Sequence, residues 1–551
     1  MNIYQRYFDE TVDSNGRLTD INVHWPDNFN FGYDIVDAIA EAEPDKRALV
    51  WCNTEKEEHI FTFSDIKKAS CRAANVLTKA GIKRGDRVIL ALKRHYEYWP
   101  ISIAVNKIGA VMIPVTHLLT ENDFVYRIKT ADVKAVICTP FDEVPDRVIG
   151  AVRKLGREKE MVLWTVKQDV PGFRNLTEEC KNAEESFERR ETKADDTMVI
   201  YFTSGTSGSP KGVMHNFTYP LAHFVTAKYW QQNEENGLHF TISETGWAKA
   251  SWGKIYGQWI MGCAVFVYDF DNFEPKQIAA VINQYCVTSF CAPPTVYRYL
   301  TRKNAPAIPS VKTVGTAGEF LSLEVFEKFR EQTGMCIHEA YGQTETTLIM
   351  ANFKGMEPRD GSLGQPSPMY DVALLDKAGN PVGDNEIGEI CLFAKDGKRP
   401  LGVFSSYLND EEKYKYVWRN GYYHTGDAAW RDEDGYYWFH GRFDDIIKSG
   451  GYRIGPYEIE EVLIKHPAVA ECSVIGVLDK LRGQAIKAIV VLMPGYEKTP
   501  QLKKEIMEFC NAELAEYKWI RQLEFLDQMP KTISGKIKKA ELRALESKNE
   551  K

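Results

Sequence analysis

The feature that most limits the fold is a regular alternation of apolar runs and helical stripes in the first third of the chain. Arg47–Cys52, Val88–Leu92 and Ala110–Val115 are short apolar runs typical of buried strands. Between the first two lies a helical stripe that Ser64 can cap and Gly81 can close. This strand–helix–strand rhythm predicts an α/β fold in which helices cover mainly parallel sheets.

The length of 551 residues predicts two or more domains, because a single hydrophobic core stops growing well below that size. Near residues 435–445 the chain passes through short polar turns and then starts a new unit. There Gly455-Pro456 opens a helix, and strands follow at Val469–Val477 and Lys487–Met493. We predict a large multi-sheet N-terminal domain over residues 1–441, a hinge over 442–447 and a small α+β C-terminal domain over 448–551.

Composition and charge argue against several classes of function. A formal net charge of −8 disfavours a nucleic-acid partner, which needs a basic face. The 11 cysteines show no CxxC spacing and the histidines show no metal-site spacing, so we expect reduced, free thiols. No apolar stretch is long enough to cross a bilayer, and residues 1–16 lack the apolar core of a signal peptide. We predict a cytoplasmic protein without a membrane span and leave a homo-oligomer open.

A loop suited to phosphate binding follows the apolar strand Met198–Phe202. Its glycines let the backbone approach an anion, its early hydroxyls can donate to phosphate oxygens, and Lys211 adds positive charge. A flexible linker is the alternative, but the preceding strand and the Pro210-Lys211-Gly212 ending favour a phosphate loop. A P-loop kinase or ATPase is disfavoured, because the Walker pattern ends in Gly-Lys-Ser/Thr. The predicted phosphate-loop residues are Thr203, Ser204, Gly205, Thr206, Ser207, Gly208 and Lys211.

Seven motifs in order resemble those of the adenylate-forming superfamily, which comprises acyl-CoA synthetases, adenylation domains of peptide synthetases, and luciferases. Each motif is weak alone, but together they cover roughly residues 40–540. The last motifs and the Thr-Gly-Trp247 segment are most similar to medium-chain acyl-CoA synthetases, with acetyl-CoA synthetases as near relatives. After the phosphate loop the motifs are Gly318-Glu319, Tyr341–Thr346, Thr425–Asp427, Gly441–Ile447, Ser449–Pro456 and Pro530–Lys536.

The resemblance implies two half-reactions that place the activity in fatty acid metabolism. A carboxylic acid and ATP give acyl-AMP and pyrophosphate, and the acyl group then passes to coenzyme A with release of AMP. A carboxylate is already a nucleophile at neutral pH, so the first step needs positioning and charge neutralisation rather than a catalytic triad. The resemblance also implies a C-terminal domain that rotates between the half-reactions, and ATP, Mg²⁺ and coenzyme A as the cofactor and substrates.

The resemblance also assigns roles around the reacting phosphate. Glu345 would hold Mg²⁺, with Thr206 and Thr344 nearby as hydroxyl donors. Lys211 would neutralise phosphate charge, and Lys536 would bridge the substrate carboxylate and the α-phosphate during adenylation only. By chemistry alone, Lys536 is an ordinary exposed lysine, so its role depends on the resemblance.

The adenosine is assigned to another group of residues. Tyr341 would stack on the adenine beside Glu319, and Asp427 would accept from both ribose hydroxyls with support from Arg442. A structural turn cap is the alternative for Asp427. The other predicted nucleotide-binding residues are Gly318, Gly342, Gln343, Thr344, Glu345 and Lys536.

The coenzyme A site is expected in the C-terminal part of the chain. The resemblance implies that Gly450 and Gly451 form a wall without side chains for the pantetheine arm, helped by Arg453 after rotation. Asp444 matches the hinge residue of the family. An ordinary turn is the alternative for the two glycines.

The acyl pocket decides which acid is used. By family position, the residues around it are Trp230, Trp247, Lys249, Trp252, Cys291 and Gly342. Acetate-specific relatives carry tryptophan at the position of Gly342, so we expect Gly342 to leave room for an acid larger than acetate. The three tryptophans argue against a long tunnel, although core packing is the alternative for each. We predict a short- to medium-chain acid, branched and aromatic acids included.

Three alternatives remain open. An acetyl- or propionyl-CoA synthetase would differ only in the acid. An adenylation enzyme that loads a carrier protein would not use coenzyme A, and this chain carries no attached carrier domain. A non-catalytic nucleotide-binding relative would lack an active residue, whereas every expected one is present.

Overall fold

The computed structural model describes residues 3–203, 210–302, 307–318, 321–443, 445–449, 452–479, 482–532 and 535–549. They form two compact units. The first contains the described residues of Met1–Gly205, Pro210–Asp371 and Ala394–Gly421, and the second contains those of Val372–Phe393 and Tyr422–Lys551. These units divide the chain at points other than the predicted boundaries, which stay a prediction.

The strands are numbered in chain order over the described residues. Strands β1 to β29 are Phe8–Val12, Leu18–Val23, Arg47–Asn53, Glu58–Thr62, Arg87–Ala91, Val111–Pro114, Val133–Cys138, Val162–Thr165, Arg174–Asn175, Thr197–Thr203, Lys211–Asn216, Leu238–Thr241, Ala264–Asp269, Ser289–Cys291, Thr313–Ala317, Ile337–Gly342, Leu348–Ala351, Gln365–Pro366, Val372–Leu375, Gly388–Phe393, Ser406–Tyr407, Trp418–Arg419, Tyr422–Arg431, Tyr437–Arg442, Ile447–Ser449, Tyr452–Ile454, Val469–Asp479, Gly483–Leu492 and Gln522–Leu526.

The helices follow the same numbering. Helices α1 to α16 are Ala38–Ala42, Phe63–Lys79, Tyr98–Ile108, Glu121–Thr130, Val144–Lys154, Leu176–Lys181, Tyr219–Val225, Lys249–Gly253, Tyr256–Ile260, Pro275–Gln284, Pro294–Thr301, Leu323–Thr333, Glu411–Val417, Pro456–Leu463, Pro500–Ala512 and Lys539–Asn549. Among the described residues, no helix combines the length and the apolar character needed to span a membrane.

Two large sheets dominate the first unit and confirm the predicted α/β class. One has eight strands in the order β21-β11-β10-β6-β5-β7-β8-β9, and the other has nine in the order β18-β17-β16-β15-β14-β12-β13-β3-β4. Pairing is parallel in the middle of each sheet. Antiparallel pairs lie at both ends of the nine-stranded sheet and at the β21 end of the eight-stranded sheet, whose β9 end is parallel. Buried apolar side chains from both faces of these sheets form the main cores.

Helix α2 shows how the local sequence sets an element. Its N-cap is Thr62 rather than the predicted Ser64: the Thr62 hydroxyl accepts from the backbone of Asp65, whose carboxylate accepts from the backbone of Thr62. The buried positions include Ile66 and Leu77, as the predicted stripe requires. The helix cap therefore lies two residues earlier than the sequence suggested, because Thr62 and Asp65 form a reciprocal capping box.

The second unit contains two antiparallel-rich sheets. Strands β19, β20, β23 and β24 form one sheet by antiparallel pairing in that order. The other has the order β26-β25-β28-β27, with β29 parallel to β28. Helix α14 begins after Gly455 with Pro456 at its first position, and the segment after β28 leads to α15, capped by Thr499. The α+β character predicted for this part of the chain is confirmed.

Candidate active site

The predicted phosphate loop joins two antiparallel strands. Thr203 ends β10 and Lys211 begins β11, and the two residues are paired across the hairpin. Residues 204–209 lie outside the described residues, so the roles predicted for Ser204, Gly205, Thr206, Ser207 and Gly208 stay predictions. The hairpin fixes where the lysine of the loop enters the sheet.

Lys211 lies against the predicted metal-binding residue. Its Nζ donates to Oε1 of Glu345 at 2.5 Å and to the hydroxyl of Tyr407 at 3.1 Å. The Tyr407 hydroxyl in turn donates to the same Glu345 oxygen at 2.8 Å. Glu345 is 6% exposed, and burial alone would raise its pKa. The Lys211 charge and the two hydrogen bonds outweigh burial and lower the pKa of Glu345, so this carboxylate stays ionised at neutral pH.

Three backbone contacts hold this cluster in place. Strand β21 pairs with β11, with Tyr407 opposite Val213, two residues after Lys211. The backbone N–H of Phe404 donates to the Glu345 carbonyl at 2.7 Å. Nε2 of His215 donates to the Thr344 carbonyl at 2.7 Å, and burial lowers the pKa of His215 to about 4, so the imidazole is neutral. These contacts hold the segment that carries Glu345 beside the hairpin of β10 and β11.

Tyr407 and His215 are functional neighbours of Glu345 that the sequence did not predict. Tyr407 lies 62 residues from Glu345 along the chain, and no spacing in the sequence connects them. Only the register between β11 and β21 brings the tyrosine to the carboxylate.

Replacing Tyr407 by Phe is expected to lower pyrophosphate exchange by about tenfold or more, the scale of losing hydrogen bonds to charged groups. The hydroxyl contacts both Lys211 and Glu345, so its loss loosens both at once. Isotope exchange between pyrophosphate and ATP measures the effect, with Tyr416→Phe as the control because Tyr416 is 70% exposed. Equal activity of the two variants would contradict the role of Tyr407.

Other predicted residues meet at the carboxyl ends of neighbouring parallel strands. Strands β14, β15 and β16 end at Cys291, Ala317 and Gly342, and they pair in parallel in that order. In open α/β sheets, ligands bind beyond such strand ends. Tyr341 is buried near the end of β16. Tyr341, predicted for the adenine, and Cys291 and Gly342, predicted for the acyl pocket, therefore share one edge of the nine-stranded sheet.

Lys249 and Gly318 lie together at this edge. Nζ of Lys249 donates to the carbonyl of Ala317, the residue before Gly318. Gly318 has φ +92°, a left-handed conformation that a side chain would strain. Glu319 lies outside the described residues, and its adenine role stays a prediction. Burial raises the pKa of the Cys291 thiol even though the Lys249 charge opposes it, so the thiol is neutral rather than an activated nucleophile.

The tryptophans fill space that the sequence suggested was open. The rings of Trp230 and Trp252 meet edge to face, with centroids 6.2 Å apart. A Cβ placed on Gly342 would lie 2.5 Å from Cη2 of Trp252 and 2.5 Å from the Thr347 carbonyl oxygen. The absence of a side chain at Gly342 therefore makes room for the indole of Trp252, and the expectation of open space there is corrected.

Trp230 and Trp247 differ in their surroundings. Trp230 is fully buried, and its Nε1–H donates to the His338 carbonyl at 2.9 Å. Trp247 is half-buried and lies just before α8, the helix that carries Trp252. The structure thus brings Trp230, Trp252 and Gly342 together in one packed group, whereas the pocket roles of all these residues stay predictions.

The predicted ribose residues lie in the second unit. Asp427 of β23 and Arg442 of β24 are opposite each other in the antiparallel register. Nη1 of Arg442 donates to Oδ1 of Asp427 at 3.0 Å and to the Thr425 carbonyl at 3.1 Å. Asp427 is buried, and the salt bridge orients its carboxylate.

Lys536 is exposed at the end of a tight turn, also in the second unit. The Thr532 N–H donates to the Lys536 carbonyl at 2.8 Å, and Gly535 takes φ +88°. The turn holds the backbone of Lys536 while its side chain stays accessible. Gly450, Gly451 and Asp444 lie outside the described residues, and Arg453 is paired with Lys448 in the β25–β26 ladder.

Glu345 has the chemistry that a Mg²⁺ ligand requires. It is a buried, ionised carboxylate that already holds one cation, the Lys211 ammonium. Magnesium is usually bound through one or two carboxylates and the phosphates of the substrate. A buried, ionised carboxylate beside the Lys211 ammonium is compatible with the predicted binding of a nucleotide together with its metal ion.

The chain belongs to the AMP-binding enzyme family. Residues 36–408 match the family model of the AMP-binding enzyme, and residues 458–536 match that of the AMP-binding enzyme C-terminal domain. This confirms the resemblance drawn from the motifs and the class of enzyme, an AMP-forming acid–thiol ligase.

Similar proteins with curated descriptions are acyl-CoA synthetases. Acyl-coenzyme A synthetase ACSM3, mitochondrial, from Homo sapiens is 38% identical over 540 residues, which cover 96% of this chain and 92% of that protein. Acyl-coenzyme A synthetase ACSM4, mitochondrial, from Homo sapiens is 37% identical over 529 residues, covering 94% and 90%.

Solved structures show the same fold. The anthranilate CoA ligase AuaEII in complex with anthranoyl-AMP has a TM-score of 0.84 at 26% identity and covers 95% of this chain and 98% of its own. The acyl-CoA synthetase of Brucella canis has a TM-score of 0.70 at 31% identity, with 95% of each chain covered.

Proposed function

We propose that this ATP-dependent acyl-CoA synthetase activates a short- to medium-chain carboxylic acid, branched and aromatic acids included, and transfers the acyl group to coenzyme A. The observation that carries the proposal is the contact of Lys211 with the buried, ionised Glu345 beside the hairpin of β10 and β11. The Lys211 ammonium would bind phosphate oxygens, and the neighbouring Glu345 carboxylate would bind a metal ion.

In the first half-reaction, the acid carboxylate attacks the α-phosphorus and pyrophosphate leaves. Lys211 and Lys536 would neutralise charge on the transferring phosphate, and Glu345 would hold Mg²⁺. When bound, the ion supplies positive charge against the phosphate oxygens. Tyr341 would bind the adenine, and Asp427, held by Arg442 at 3.0 Å, would accept from the ribose hydroxyls.

In the second half-reaction, the coenzyme A thiol attacks the acyl-adenylate carbonyl and AMP leaves. The mixed anhydride is reactive enough that no covalent enzyme intermediate is needed. Gly450, Gly451 and Arg453 would form the pantetheine site, and rotation of residues 448–551 about Asp444 would exchange the two active poses. These roles rest on the family motifs.

The packing of Trp252 against Gly342 bears on the identity of the acid. An indole at this position would limit the space available to the alkyl chain of the substrate acid, which supports an acid of limited length. The same observation favours an acetyl- or propionyl-CoA synthetase as the second candidate. The acyl-CoA relatives and the anthranilate ligase together support a range that includes aromatic acids.

A pyrophosphate-exchange screen tests the proposal. The panel runs from acetate to octanoate and includes 2-methylbutyrate, benzoate and anthranilate. We expect exchange with several acids of four or more carbons, AMP rather than ADP as product, and consumption of the coenzyme A thiol. Exchange without thiol consumption would favour transfer to a carrier protein, and ADP release would overturn the adenylate mechanism.

Location and assembly stay predictions. The sequence predicts a cytoplasmic protein, whereas the names of the curated relatives place those proteins in mitochondria. Cell fractionation distinguishes the two locations, and light scattering of the purified protein measures whether it forms a homo-oligomer.

A further inference from the structure

A bulge in the second unit shapes the backbone around the predicted ribose residue. Cys391 of β20 pairs with His424 of β23, and Glu389 pairs with Ala428. One residue of β20 therefore lies opposite three residues of β23, Thr425 to Asp427. Gly426 in the middle takes φ +74°, which a side chain would strain. Bulges bend a strand and redirect its side chains, so this one determines the placement of Asp427.

The carboxylate of Glu389 braces the bulge from inside the sheet. Its Oε1 accepts from the Gly426 N–H at 2.9 Å, and its Oε2 accepts from Nδ1–H of His424 at 2.8 Å. Glu389 and His424 are each 6% exposed. Each oxygen of the Glu389 carboxyl group has one partner, so glutamate matches this position, whereas glutamine would supply only one acceptor oxygen.

Further bonds transmit this brace to Asp427. The Thr425 hydroxyl donates to the Ile390 carbonyl at 2.7 Å and accepts from the Asp427 N–H at 3.1 Å. The Phe443 N–H donates to the Gly426 carbonyl at 2.8 Å. Both the N–H and the carbonyl of Gly426 are hydrogen-bonded. A shift of Glu389 would therefore move the backbone next to Asp427.

We propose that Glu389 is a positioning residue for the nucleotide: through the bulge and His424 it fixes Asp427 in the orientation that accepts the ribose hydroxyls. The inference rests on the proposed role of Asp427. Glu389 need not touch the nucleotide, because its hydrogen bonds with the Gly426 N–H and with His424 act on the backbone beside Asp427.

The same cluster has a competing chemical interpretation. Glu389, Cys391 and His424 offer ligand atoms within 4.8 Å of one another, as a metal site would. However, Nδ1 of His424 already contacts the Glu389 carboxylate at 2.8 Å, and the Cys391 thiol lies 3.4 Å from the same nitrogen. The hydrogen bond that the Gly426 N–H donates to Glu389 ties the carboxylate to the bulge and favours the positioning role.

The test compares ATP with 2′,3′-dideoxy-ATP, which lacks both ribose hydroxyls. Steady-state adenylation is measured for the wild type and for Asp427→Ala, Glu389→Ala, Glu389→Gln and Cys391→Ala. We expect Glu389→Ala to raise KM for ATP about tenfold and to reduce the preference for ATP over the dideoxy nucleotide. KM for the acid should change little. Glu389→Gln keeps the volume and one acceptor, so its preference should be intermediate.

Cys391→Ala is the matched control on the same strand, because it removes a thiol that contacts His424 and leaves the hydrogen bond between Glu389 and Gly426 in place. It should keep the wild-type preference for ATP. If the melting temperature of Glu389→Ala is far below that of the wild type, the nucleotide preference of Glu389→Gln is used to test the positioning role instead. A folded Glu389 variant with wild-type nucleotide preference overturns the positioning role.

Two further outcomes are separable. If Asp427→Ala keeps the full preference for ATP, the proposed ribose role of Asp427 is wrong, whatever Glu389 does. If stoichiometric zinc is measured in the purified wild type and is lost in Cys391→Ala together with the nucleotide preference, the cluster is a metal centre and the positioning role is overturned.

Discussion

Lys536→Ala is expected to slow adenylation by at least about a hundredfold, while the variant still forms acyl-CoA from supplied acyl-adenylate and coenzyme A. The magnitude is that of removing a positive charge that acts on the transition state. Lys536 is exposed, and the hydrogen bonds described for its turn involve its backbone rather than its side chain, so the fold should persist. Pyrophosphate exchange reports the first half-reaction, and thiol consumption from synthetic acyl-adenylate reports the second.

The matched control is Lys538→Ala, an exposed lysine two residues further along whose Nζ lies 3.4 Å from Glu541. It should behave as the wild type in both assays. Gly451→Leu should show the reverse of Lys536→Ala, with normal exchange and blocked thioester formation. If Lys536→Ala lowered both half-reactions equally in a folded protein, the lysine would not be specific to adenylation.

The elements of the fold could be predicted because they depend on local patterns. Short apolar runs such as Val88–Leu92 correspond to buried parallel strands, here Arg87–Ala91, because such strands are covered on both faces. The predicted helix after Gly455 begins there because proline suits its first position. Even the error at Ser64 has a local cause, since Thr62 and Asp65 form a capping box that outcompetes it.

The contacts between distant segments could not be predicted in this way. Tyr407 reaches Glu345 through a strand register, and Glu389 reaches Gly426 through a bulge in another sheet. Neither partner has a sequence spacing that signals the other. The motifs identified the residues expected to bind substrate. The side chains that position those residues, such as Tyr407 and Glu389, are brought to them by strand pairing between distant segments.

The surroundings of Gly342 could not be predicted from the sequence either. A glycine in the sequence indicates a missing side chain but not what occupies the volume. In the structure the Trp252 indole occupies it, 90 residues earlier in the chain and on a short helix. The length limit of the acyl pocket is therefore expected to come from Trp252.

Trp252→Ala is expected to shift the preferred acid toward longer chains by two or three methylenes. Each methylene that the new space buries contributes about 0.8 kcal/mol, which is about fourfold in the specificity constant. The gain should be graded over the series, because an apolar pocket discriminates weakly per methylene. Specificity constants for acetate through octanoate in both proteins measure the shift. Loss of the ring should also lower the free energy of unfolding by about 3–5 kcal/mol, so thermal melting accompanies the assay.

Trp259→Ala separates a pocket effect from a loss of packing. Trp259 is also fully buried, but it lies on α9, where its Nε1–H donates to the Ala48 carbonyl at 2.9 Å. Its loss should lower activity with all acids in parallel. Gly342→Trp should do the same, because its side chain would meet the Thr347 carbonyl oxygen, a backbone atom that cannot move aside easily. A Trp252→Ala profile parallel to that of Trp259→Ala would remove Trp252 from the acyl pocket, and the limit on acid length would then lie elsewhere along the strand ends.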